Sequence, residues 1–256
     1  MKKLIILIQV LFLFQIITAQ DRYWVNGPGN WNDSDHWAYS SGGQGGAPAP
    51  TEHDNVWFDS NSFTGTGNKI DLRGKNVSCR DLNWENTGTN PVLDGFFWAK
   101  INIHGDLDIR EDISWEFKGD IHFKANEKVE IHSNTTFHSD LVFDNPEGQW
   151  KLTSKLETTG DVILSAGSVN TNDQPVLCYT FKSENDRFKS LKLGNSEITV
   201  NNWDLRENRK FFFDAAKSTI YTRSKDTDNH LHTGGFVYNS IRNKPDNSKA
   251  IVVYNY

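Results

Sequence analysis

Methionine occurs once, cysteine twice and proline seven times in this 256-residue chain, and apolar residues make up only 36% of it. Two cysteines, Cys79 and Cys178, allow at most one disulfide, which excludes a disulfide-framed mini-domain. Paired in an oxidising compartment they would close a long loop; unpaired they would be two buried thiols, and both readings stay open. No Cys-x-x-Cys occurs, so zinc-ribbon and thioredoxin-type chemistry lack support. Excess positive charge is also missing. The formal charge is −6, the wrong sign for binding nucleic acid through counterion release, and no nucleic-acid partner is expected. After residue 17 there is no long apolar run, so no transmembrane segment is expected once a leader is removed.

That one run lies at the start. Lys2 and Lys3 precede Leu4–Ile17, and Thr18-Ala19 closes the run with small residues. This is the layout of a secretory signal peptide over residues 1–19, cut near Ala19–Gln20. The mature protein is therefore expected to be exported: secreted, on the cell surface or periplasmic. Disorder is not expected, because sixteen Phe, nine Trp and seven Tyr supply large surfaces for burial. A mean hydropathy of −0.62 beside so many aromatics fits a thin core in an elongated β protein.

Residues 20–68 form a Trp/Gly-rich opening. The stretches NGPGN and SSGGQGGAPAP are turn-forming, Val56–Phe58 reads as a strand, and helical periodicity is absent. Trp24, Trp31, Trp37 and Trp57 either make a compact aromatic cluster or line an exposed binding face. From Leu82 onward short alternating strands recur. Ile101, Ile121, Leu141 and Val162 begin one set; Leu107, Val129 and Trp150 begin a second; Trp115, Phe137 and Leu156 mark a weaker third. Three strands returning together about every 21 residues predict an all-β fold, a parallel β-solenoid and specifically a right-handed β-helix. Solenoid repeats are assigned to 69–256, irregular after about 165, with 20–68 as a capping module. Outer residues of each apolar-polar-apolar triplet share a face and stack into columns.

At WVNGPGNWNDSDHW (24–37), SGGQGGAPAP (41–50) and DNVWFDSNSF (54–63) the chain resembles a module common in large secreted and surface proteins of the Bacteroidota. SLKLGNSEITV, FFFDAAKSTI and GGFVYNSI are similar to the β-rich body of those proteins. The resemblance implies an extracellular, β-helical, adhesin-like protein. It carries no catalytic set. Such proteins often continue into adhesive modules or a C-terminal secretion signal, neither of which follows here, so a small paralogue and a truncated fragment are both expected alternatives.

Solenoids expose long ladders of side chains, which suit an extended glycan without a deep pocket. Extracellular polysaccharide or cell-surface components are the expected partners. Trp31 and Trp37, followed by Trp98, are the candidate sugar-stacking residues, with the core as their alternative location. Gly-Asp precedes a strand at Gly105-Asp106, Gly119-Asp120 and Gly160-Asp161. Such aspartates ordinarily satisfy backbone donors at turns. Asp120, Asp140 and Asp161 precede successive strands, and if stacked in one column their repulsion would favour a hard cation such as Ca2+. His230 and His232 share a strand face, but two ligands make a weak metal site. No other cofactor is expected. The competing enzyme reading is a polysaccharide lyase or glycoside hydrolase in a solenoid groove. Two outward carboxylates with a basic residue in one groove would mark an enzyme, whereas exposed aromatics along a groove would mark glycan binding.

Overall fold

The computed structural model describes residues 19–63, 67–111, 113–223 and 230–243, together with the backbone of Val252–Tyr254. The expected leader, except for Ala19, lies outside the described residues. Among the described residues there is no α-helix; apart from a 3-10 turn at Ser34–His36, the regular elements are strands. They stack as a parallel β-solenoid of about 8 turns, about 22 residues apart.

Each full coil crosses three faces in the same order. Face one holds Asn55–Phe58, Leu82–Trp84, Leu107–Ile109 and Lys128–Ser133 in parallel register. Face two begins with Gly29–Asn30, Lys69–Asp71, Val92–Asp94 and Ser114–Trp115. It resumes from Leu156–Glu157 through Val176–Leu177 and Glu197–Val200 to Thr219–Thr222 and Ser240–Asn243. Face three runs from Val77–Cys79 through Lys100–Ile103 and Asp120–Phe123. Leu141–Leu152 and Val162–Asn170 are long enough to pass from face three onto face one without a break in the strand.

The first expected set holds in direct register: Ile101, Ile121, Leu141 and Val162 stack on face three. The second set is offset. Leu107 pairs with Ile131, and it is Val129 that pairs with Trp150. The third set slips in the same way, because Phe137 bridges Thr158 while Leu156 pairs with Val176. Each slip is two residues. That preserves the inward column, since alternate residues share a side, whereas a slip of one would turn every apolar residue outward.

The columns close into one continuous core. Face-to-face aromatic pairs recur along it: Phe58–Trp84 at 4.1 Å between ring centroids, Phe123–Phe143 at 4.7 Å and Phe181–Trp203 at 4.8 Å. The Trp/Gly-rich opening belongs to this stack. Asp21–Trp24 pairs in parallel with Asn55–Phe58, and Trp37–Ala38 folds back antiparallel against its other edge. An antiparallel return is one way to finish a column that would otherwise leave a bare strand edge. Behind it Trp24, Trp31, Trp37 and Phe58 plug the end of the core. The segment expected as a capping module thus stacks directly on the first coils and closes the end of the core.

The disulfide reading is overturned. Cys79 and Cys178 are both free and buried. Cys79 pairs with Ile103, which leads through Phe123 and Phe143 to Leu164. Leu164 pairs in turn with Ser183 of the strand that follows Cys178, so five rungs at about 4.8 Å each separate the two regions by roughly 24 Å, far beyond the ~7 Å limit for bridged Cα atoms. Burial pushes both thiols well above the ordinary range, so neither is a nucleophile.

Candidate functional site

Three surface features carry chemistry, and all three sit at corners of the coil. The first is aromatic. At the corner between faces two and three, Phe96, Phe97 and Trp98 are 52%, 71% and 55% exposed. The Phe96 ring lies on the Trp98 indole at 4.5 Å and 11°, and Phe97 meets that indole edge-on at 5.0 Å. The platform is anchored from below. Phe96 N donates to Arg73 O at 2.9 Å, Gly95 N to Asp94 Oδ1 at 2.7 Å, and Ala99 N to Phe96 O at 3.0 Å. Gly74 lets the indole close in, because a Cβ there would stand 2.6 Å from Trp98 Nε1. A depression of about 470 Å³ lies alongside, lined by Phe96, Phe97, Lys69, Asp94, Glu116 and Lys118.

Of the expected sugar-stacking residues, only Trp98 is on the surface. Trp31 and Trp37 are 1% and 0% exposed, so their assignment as ligand contacts is overturned. The reason is local: Trp37 Nε1 donates to Trp31 O at 2.6 Å and the two indoles pack edge-on at 5.1 Å. Phe96 and Phe97 were missed in the sequence. Three consecutive aromatics cannot all face the core of an alternating strand, and that was the available signal.

The second feature is a groove of about 340 Å³ at the corner between faces three and one, lined by Glu52, His53, Arg80, His104, Lys124 and Glu127 among others. Glu52 sits between two imidazoles, with Oε1 3.6 Å from His53 Nε2 and Oε2 3.9 Å from His104 Nε2. Arg80 Nη2 reaches Glu127 at 3.5 Å, and Lys124 is ion-paired with Asp144. Burial, reinforced by Lys124 and His53, holds His104 below the usual imidazole range despite Glu52. It is therefore neutral at pH 7 and able to accept a proton. This is the composition specified for an enzyme: two carboxylates and basic residues in one groove. No local motif announces it, but its residues come roughly one per coil, which places them at one corner.

The third feature is the aspartate column. Asp120, Asp140 and Asp161 immediately precede the stacked residues Ile121, Leu141 and Val162, so they lie one above another. Their carboxylates turn to neighbours rather than to a shared point. Asp140 Oδ1 accepts from Asp161 N at 2.8 Å, and Asp161 Oδ1 from Thr180 N at 3.0 Å. Asp161 Oδ2 also meets Lys182 Nζ at 3.2 Å, while Asp120 Oδ2 lies 3.5 Å from Lys100 Nζ. Burial, with Asp161 and Asp120 adding repulsion, raises the Asp140 carboxyl above its ordinary range. Among the described residues no three His, Cys, Asp or Glu side chains are grouped so as to hold a metal ion, and the column offers Ca2+ no convergent set of oxygens. Farther along face three, His230 and His232 stack at 6.0 Å and share a hollow with Asp161, Lys182, Asp204 and Arg206.

Two of the three Gly-Asp glycines have a common cause, whereas Gly119 is pressed against Ala99 O and the Phe117 ring. A Cβ on Gly160 would stand 2.6 Å from Asp140 Oδ1, and one on Gly105 would collide with the Asp81 carboxylate. The corner of one coil is pressed against the aspartate of the coil before it. Asp81 Oδ1 accepts from Asp106 N at 2.9 Å, and Asp106 Oδ1 accepts from Glu130 N at 2.7 Å. The turn-aspartate reading is thereby met at Asp106 and Asp161.

No helix among the described residues is long and apolar enough to cross a membrane. Comparison with protein families, with curated proteins and with solved structures gave no match.

Proposed function

We propose that this protein is an exported, adhesin-like solenoid that binds extended glycans without cleaving them. The observation that carries the reading is the exposed Phe96–Phe97–Trp98 cluster, fixed on a corner of a rigid stack. Water solvates such rings poorly, and an aromatic face is complementary to the apolar face of a sugar ring. A flat platform beside an open depression suits a polymer lying across the coil better than a small molecule needing enclosure. The sequence resemblance to Bacteroidota surface proteins points the same way and adds an extracellular setting.

Binding across a polysaccharide array, with wild type and a Trp98→Ala/Phe97→Ala variant, tests this. Retention of one or more polymers by wild type, with at least a tenfold loss in the folded variant, is expected, since about 1.4 kcal/mol of lost stacking is tenfold in affinity. Equal retention by the two proteins would refute it.

The Glu52–His104 groove favours a second reading, as a polysaccharide lyase. In that reaction neutral His104 takes the proton beside a uronate carboxylate, Arg80 or Lys124 neutralises that carboxylate, and the glycosidic C–O bond breaks as the double bond forms, with water protonating the leaving oxygen. Its mark is an ultraviolet-absorbing unsaturated product, lost in His104→Gln. We rank it second because Arg80 and Lys124 are already held by Glu127 and Asp144.

A further inference from the structure

We infer that the polymer taken at the Phe96–Trp98 corner is anionic, its sugars carrying carboxylate or sulfate groups. The inference rests on the glycan reading and names the class of ligand. The chain as a whole has a formal charge of −6, yet the aromatic platform is edged by cations. Arg73 and Lys75 flank Gly74, the residue on which the Trp98 indole packs, and Arg73 O anchors the Phe96 backbone. Lys118 lines the adjoining depression with Phe96 and Phe97. Among the described residues Arg73, Lys75 and Lys118 have no carboxylate partner within ion-pair distance.

The carboxylates of this corner are engaged by the fold, although Asp94 and Glu116 also line the depression. Asp71 Oδ1 accepts from Arg73 N at 2.7 Å, Asp94 is held by Lys69 and by Gly95 N, and Glu116 Oε1 accepts from Ser114 Oγ at 3.1 Å. Three cations without an ion-pair partner thus stand beside Gly74 or line the depression, while two of the three nearby carboxylates are bound to backbone. The flat pairing of Phe96 on Trp98 presents a ring plane, the shape that receives a sugar face, rather than a wedge that enters acyl chains.

The test uses matched polymers: polygalacturonate against its fully methyl-esterified form, and dextran sulfate against dextran. Vesicles of anionic phospholipid form a further arm. Wild type is compared with Trp98→Ala and with Arg73→Gln/Lys75→Gln/Lys118→Gln, each checked for an unchanged melting temperature; Lys118→Gln alone serves if the triple variant does not fold. We expect at least one acidic polymer to bind about tenfold or more tightly than its neutral counterpart, with affinity falling steeply as salt rises. The glutamine variant should lose that preference and the salt slope, and Trp98→Ala should lose binding altogether. Equal, Trp98-dependent binding of neutral and acidic polymers overturns the charge inference and leaves the glycan reading standing. Binding of none of the polymers overturns the glycan reading itself. Trp98-dependent binding to vesicles but not to polymers overturns both in favour of a membrane surface.

Discussion

Burying an indole removes a large apolar surface from water, but its N–H then needs an acceptor. Trp24 and Trp37 have one, donating to Gly27 O at 2.7 Å and to Trp31 O at 2.6 Å, whereas Trp31, Trp84 and Trp150 bury Nε1 with none. These residues should therefore respond differently to the same change. Trp37→Phe loses a buried hydrogen bond and strands a carbonyl, at a cost of about 1–3 kcal/mol beyond the change in volume. Trp31→Phe removes an unsatisfied donor, so its cost should be the smaller of the two in equilibrium denaturation. Histidines give a second prediction at this scale. Burial comes first among the causes that hold His104 and His122 below the usual imidazole range; Lys124 adds to it at both, with His53 at the former and Lys100 at the latter, against Glu52 and Asp120. With folded values below unfolded ones, the unfolded chain takes up protons first as pH falls through about 6.5. Stability is then lost from about pH 7 down to the folded values, and it is regained as pH rises. Asp81 and Asp140, raised mainly by burial, act in the opposite sense, but in the carboxylate range. The denaturation midpoint should drop between about pH 7.5 and 5.5, and less so in His122→Gln.

A strand of three residues has little stability of its own, so each rung depends on the rungs above and below it. Ile121 sits between Ile101 and Leu141 in the fully buried column of face three. Ile121→Ala should cost about 2–5 kcal/mol, measured by urea denaturation. Corners respond to backbone approach instead. Gly167, at φ +86°, lies where Val162–Asn170 turns from face three onto face one, and a Cβ there would stand 2.7 Å from Trp150 Cζ3. Gly167→Ala is expected to destabilise by more than the ~1 kcal/mol usual for glycine replaced at a positive φ, because both φ and packing oppose it. The strand periodicity at face three was legible in the sequence because Ile101, Ile121, Leu141 and Val162 recur at nearly equal steps. The pairing of Leu107 with Ile131 was not. A two-residue shift preserves the apolar alternation, so the pattern is equally satisfied by Val129, and only the length of the intervening corner decides.

Across the whole molecule a narrow core explains the low apolar content: each coil contributes a few inward residues, and its remaining positions are corners and outward polar sites. That same economy leaves function to the corners. Residue type alone made Trp31, Trp37 and Trp98 equal candidates; the run Phe96–Trp98 is what sets the exposed one apart, while Trp31 and Trp37 lie inside the plug. Glu52, Arg80, His104 and Glu127 became neighbours only once the coils were stacked. The burial pattern makes a sharp contrast among the nine tryptophans: Trp57 is half-buried, Trp98 is exposed, and the other seven are buried. Fluorescence quenching by a polar quencher, in the presence and absence of a retained acidic polysaccharide, reports directly on whether Trp98 meets the polymer. The readily quenched fraction is expected to belong mainly to Trp98, to disappear in Trp98→Phe, and to become protected in wild type when the polymer is added. A polymer that binds while leaving Trp98 as accessible as before would contradict that expectation.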